Sequence, residues 1–243
     1  MNLFQVLALA SLTTLGNYVG GFFAEMVKVT GKRLNLALHA AAGILFAVVG
    51  VELIPRALQE APPWQVVLLF LLGGVAIIGI KAIISSLQKR QGANEEADRS
   101  SMIYFSVAVD LFSDGLLIGA GSTVSFELAL LLALAQVSAD IPEGFATMVT
   151  FKRHGYSRRT RILLSAGFIV PVLSAAAFSY LVLRDQDPAF QVLGLAFAAG
   201  MLIVGAAEDM MPEAHESADD TPLSQLIFVT GFGLFTLLSA YFG

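Results

Sequence analysis

Residues 126–151 read FELALLLALAQVSADIPEGFATMVTF. The stretch is long enough to cross a bilayer as a helix, which takes about 20 mainly apolar residues. Its second half nevertheless holds Asp140 and Glu143, with Ile141 and Pro142 between them. Ionisable side chains at that depth are costly, and they mark ion or proton pathways.

The rest of the chain is built in the same way. Of its 243 residues, 56% are hydrophobic and 14% charged, against roughly 45–50% and about 25% in a soluble domain. Apolar runs place spans at 3–27, 34–57, 63–87, 101–121, 126–151, 161–184, 189–211 and 223–242. Backbone groups in hydrocarbon must be satisfied internally, and these runs are too long for barrel strands, so helices are expected. The predicted fold is all-α: a polytopic membrane protein with eight transmembrane helices, forming one transmembrane transporter domain over 1–243. The bilayer is its first partner. Met1 runs almost directly into the first span with no basic segment ahead of it, so no cleavable leader is expected. The absence of cysteine excludes disulfides and thiolate ligands. No basic tail or aromatic–basic interleaving points to nucleic acid.

Lys and Arg set the expected orientation. Lys28, Lys32, Arg33, Lys89, Arg90, Arg99, Lys152, Arg153, Arg158, Arg159 and Arg161 follow odd-numbered spans, and Lys81 lies near the same end of the third. Only Arg56 and Arg184 lie on the opposite side. The odd loops are therefore expected in the cytoplasm, with both termini outside an inner or plasma membrane.

A repeat is visible at an offset of 157. It pairs Ala41-Ala42-Gly43 with Ala198-Ala199-Gly200, Glu52 with Asp209, Pro55 with Pro212, and Ala57 with Ala214. Helices two and seven run in opposite senses. The expected plan is therefore an inverted repeat of helices 1–3 and 6–8 around a central 4/5 pair, as in many secondary transporters.

Helices four and five carry Asp110, Asp114, Asp140 and Glu143. Ionised, these carboxylates oppose insertion by on the order of 10 kcal/mol. No Lys or Arg lies in the middle of any span, which leaves protons or metal ions to offset that cost. Asp110 and Asp114 share a helix face, with Ser106 and Ser113 close by, and Asp140 and Glu143 share another with Gln136 and Thr147. Pro142 frees the carbonyl of Ser138. Such an oxygen-rich cage suits hard or borderline divalent ions, either two ions or one ion with two protons. Glycines in helices one, three and five are expected to permit close packing, and those of helix three would allow a homodimer contact. Glu25 is expected to snorkel. His39 reads as structural, and His154 and His215 as loop residues, His215 beside Glu213 and Glu216.

These residues resemble the ZIP family of divalent metal transporters, whose metal motifs lie on helices four and five. DIPEG at 140–144 is a close match to the family's helix-five pattern. DLFSDG at 110–115, ELIP at 52–55 and EDMMPE at 208–213 resemble its helix-four, helix-two and helix-seven segments. Asp110, Leu111 and Asp114 replace the usual His, Asn and Glu, and Glu52 stands where His is common. The resemblance implies a transporter rather than an enzyme, with no cofactor, moving zinc, manganese, iron or cadmium toward the cytoplasm by alternating access. The expected primary ligands are Asp110, Asp114, Asp140 and Glu143, with Glu143 bridging two ions. Gln136, Ser113 and Asp209 rank second, and Glu52 and Glu208 would line the path. A carboxylate-only set favours harder ions, while zinc also accepts such oxygens. A proton-coupled cation exchanger or exporter, an intramembrane aspartyl hydrolase and a non-transporting metal sensor are the competing readings.

Overall fold

The computed structural model describes residues 1–27, 30–90 and 95–242, with side chains throughout except at 88–103 and 242. Lys28, and the side chains of Lys89, Arg90 and Arg99 used for the orientation, lie outside the described residues. Eight described helices are long and apolar enough to cross a membrane: α1 Leu3–Met26, α2 Gly31–Glu60, α3 Pro63–Leu87, α4 Tyr104–Val124, α5 Phe126–Arg153, α6 Arg158–Leu183, α7 Pro188–Ser217 and α8 Pro222–Tyr241.

Two of them outrun the sequence expectation. The chain past Pro55 and Pro212 stays helical to Glu60 and Ser217. Each proline follows a π-helical turn, Val48–Leu53 in α2 and Ala206–Met210 in α7. The proline then sits in the first turn of the resumed α-helix, where its missing N–H costs nothing. Glu213, His215 and Glu216 are therefore helical, which corrects the loop reading of His215.

The packing obeys the repeat. The most extensive helix contacts are α1 with α5, α4 with α6, α2 with α8, and α3 with α7. Exchanging helices 1–3 with 6–8, and 4 with 5, maps this set onto itself. Glycines make the approaches close enough. A Cβ at Gly43 would lie 2.1 Å from the Phe228 carbonyl oxygen, and one at its repeat mate Gly200 would lie 1.9 Å from that of Phe70. Gly73 meets Phe197 in the same way, so a helix-three glycine expected to allow a dimer contact is used inside the chain.

Apolar side chains such as Val67, Leu71, Val75 and Ile78 of α3 point outward, as a lipid-facing helix requires. Glu25 does not snorkel. It pairs with Arg161 at 2.6 Å and Lys152 at 3.6 Å, tying α1 to α5 and α6.

Candidate metal centre

The four central carboxylates converge because α4 and α5 pack side by side, each presenting one acidic face. They line a cavity of about 290 Å³ that also takes in Ser113, Gln136, Glu208 and Asp209. Of the residues expected at the site, only Glu52 is not on this cavity. The cavity continues past Thr147 and Thr150 to Glu213 and Glu216, toward the end of the bundle that holds the α7–α8 loop.

Asp140 and Gln136 are each 1% exposed. The Gln136 side-chain amide donates to Asp114. Gln136 Oε1 and Asp140 Oδ2 have no hydrogen-bond partner. A buried oxygen left without a partner costs roughly 1–3 kcal/mol, and more when charged. Two such acceptors beside Asp114 and Glu143 form an electron-rich pocket that a cation would satisfy. The Ser113 hydroxyl donates to the Asp110 carbonyl at 2.7 Å.

The expectation that no basic group reaches the carboxylates is corrected. Lys81 of α3 turns inward, donating to Asp110 Oδ1 at 2.8 Å and to Asp209. Gly205 gives Asp110 room, since a Cβ there would lie 3.3 Å from its Oδ1. A lysine six residues from a span's end ordinarily snorkels to the headgroups. Here two anions from α4 and α7 offer a closer partner, one 29 and the other 128 residues away in sequence. Thr14 and Asn17 on α1 also went unnoticed. Both are buried, Asn17 packs its backbone on Gly144 of α5, and Thr14 Oγ1 and Asn17 Nδ2 lack partners.

Glu52 has its charge neutralised by its own helix. It accepts from Arg56 Nε at 2.9 Å and Nη2 at 2.6 Å, and from the Ser239 hydroxyl. The glycine contacts of α3 and α8 align Gly73 with Gly231, which aligns Lys81 with Ser239. The Lys81–Asp209 and Ser239–Glu52 contacts thus occupy equivalent places in the two halves.

A family model described as ZIP Zinc transporter matches residues 86–239, more than half of the chain. The match contains the four central carboxylates, Gln136, Glu208 and Asp209, and begins after Lys81. No curated protein matches the chain.

Proposed function

The chain belongs to the ZIP zinc transporter family, and from that premise we propose that it carries one divalent ion at a time toward the cytoplasm through the α4/α5 cavity. The membrane-spanning part, taken as one transporter domain over 1–243, would have both termini outside. The ion would sit on Asp114, Asp140 and Glu143, with Gln136 Oε1 completing an all-oxygen set. The observation that supports this most directly is the pair of unpartnered buried oxygens on Asp140 and Gln136 facing one acidic cavity.

Lys81 would act as a built-in counter-charge. It already engages Asp110 and Asp209. With Lys81 and one divalent ion, three of the five negative charges on Asp110, Asp114, Asp140, Glu143 and Asp209 are balanced, and protons can balance the rest. Carboxylate oxygens accept manganese, ferrous iron and zinc alike, so the selectivity is read as broad. The ion would move on toward Glu213 and Glu216 as the helix bundles exchange access.

The test is uptake by the full chain in proteoliposomes loaded with a fluorescent metal indicator, compared across zinc, manganese, iron and cadmium. Asp140→Asn with Glu143→Gln is expected to reduce flux to the level of empty liposomes. Undiminished flux in that variant would sink the proposal. Efflux rather than uptake under an inward metal gradient would favour the exchanger reading.

A further inference from the structure

We propose that His39, His215 and Asp220 form a second metal site, for a zinc-like borderline ion, at the end of the bundle assigned to the cytoplasm. It is separate from the carboxylate cavity in residues and in chemistry. It goes beyond the transport reading above and does not depend on it.

The three side chains come from α2, the last turn of α7 and the α7–α8 loop. Each offers one ligand atom, and these atoms lie within 4.8 Å of one another. His215 Nε2 is 2.9 Å from Asp220 Oδ2, and His39 Nε2 is 3.5 Å from Asp220 Oδ1. The two imidazoles stand edge to face with centroids 5.9 Å apart. Ligands on one tetrahedral zinc sit about 2.0–2.2 Å from the ion, so small side-chain shifts would close the set.

The tautomer of His39 makes the argument specific. Its Nδ1 lies 2.8 Å from the Asn35 carbonyl oxygen, which can only accept. Nδ1 must therefore carry a proton, and in the neutral ring Nε2 is left with a lone pair. That lone pair, on a side chain 3% exposed, faces an Asp220 carboxylate oxygen at 3.5 Å. A lone pair facing an anion is repulsive unless a proton or a metal cation stands between them, and the second imidazole on the same carboxylate makes the metal the ligand that all three side chains can share. Metal-bound histidines typically donate their other N–H to a backbone carbonyl in this way.

The surroundings are already organised. Asn35 donates to Asp220 Oδ1 at 2.9 Å and to the Ala214 and Ala218 carbonyls, holding the carboxylate against the helix end. The Ser224 hydroxyl donates to Asn35 Oδ1 at 2.7 Å, and Thr221 and Ser224 bond reciprocally to each other's backbone N–H. Gly31 packs on the Ser217 carbonyl, joining the start of α2 to the end of α7. The Asn35 hydrogen bond, against the opposing effect of burial, holds the Asp220 carboxyl below the usual carboxylate range. Two nitrogens and one oxygen with a fourth position open to water are a zinc-type donor set. The central cavity offers oxygen alone. Its far end, at Glu213 and Glu216, flanks His215 in sequence, so an ion leaving the cavity would meet this site next. Bound there, the ion would clamp α2 to the α7–α8 corner.

The experiment uses the full chain in detergent with Asp140→Asn and Glu143→Gln disabling the central cavity, and Co²⁺ and Zn²⁺ as probes. The expected result is one ion retained per chain, the visible absorption of tetrahedral Co²⁺, and two imidazole nitrogens at about 2.0–2.1 Å in the zinc X-ray absorption spectrum. Adding His215→Gln, at a half-exposed position that folding tolerates, should remove the imidazole signal and weaken zinc binding by more than about 10-fold. Asp220→Asn should weaken it too, with metal-free melting unchanged. Zinc retained equally well by His215→Gln, or no ion retained before that change, overturns the proposal. Either failure, with wild-type uptake intact, leaves the transport reading standing.

Discussion

Helices α2 and α7 are built on one pattern and end in opposite states. Each has a π-helical turn, then a proline, with a carboxylate three residues before it: Glu52 in α2 and Asp209 in α7. Four residues further on, α2 has Arg56 and α7 has Glu213. Glu52 is therefore neutralised by its own helix, sealed at 5% exposure, and kept off the cavity. Asp209 has a like charge at the corresponding place, so it recruits Lys81 from α3 and stays on the cavity wall. One substitution within a repeat thus separates a closed half from an open one.

The largest expected effect comes from breaking the closed half. Arg56→Ala strands Glu52 as a buried unpaired anion and should cost about 3–5 kcal/mol of stability. This is read from chemical denaturation in detergent, with Arg56→Met plus Glu52→Gln recovering most of the loss. A neutral outcome for Arg56→Ala would mean that the local pair does not seal α2. In the open half, Lys81→Met should let a second divalent ion join Asp110 and Asp209, raising bound manganese from about one to about two per chain in equilibrium dialysis, by the charge-balance logic of carboxylate cages. An unchanged stoichiometry would remove Lys81 from its counter-charge role. The smallest effect is expected at Ser239→Ala, which deletes one hydrogen bond to Glu52 and should cost about 1.5–3 kcal/mol at most. A larger loss there than at Arg56 would reverse the assignment of which partner holds Glu52.

The sequence was legible where the physics is local or periodic. Eight apolar runs, the offset of 157 and the acidic faces of helices four and five all appear in the structure as eight helices, paired π turns and one acidic cavity. It was misleading where a side chain had a choice of partner. Lys81 reads as an interfacial lysine because no acidic residue lies on its own helix. Its partners become visible only when α3 packs on α7. Glu52 reads as a path residue because it stands in the helix-two segment that resembles the family's, although Arg56 lies four residues on. His215 reads as a solvated loop residue beside acids, yet the helix continues past Pro212 and carries it to His39.

Composition and periodicity by themselves determined that this chain lives in a membrane, how often it crosses and which helices carry the acids, because hydrocarbon permits only backbone-satisfied spans. The residues of DIPEG and its context also determined the family that the match over 86–239 identifies. Only the tertiary structure decided which charges meet. Asp110 and Asp209 share Lys81, Glu52 is turned away, and His39, His215 and Asp220 come together at a corner. Buried charges seek the nearest partner in space, and for Lys81 and Asp209 that partner lies 128 residues away in the chain.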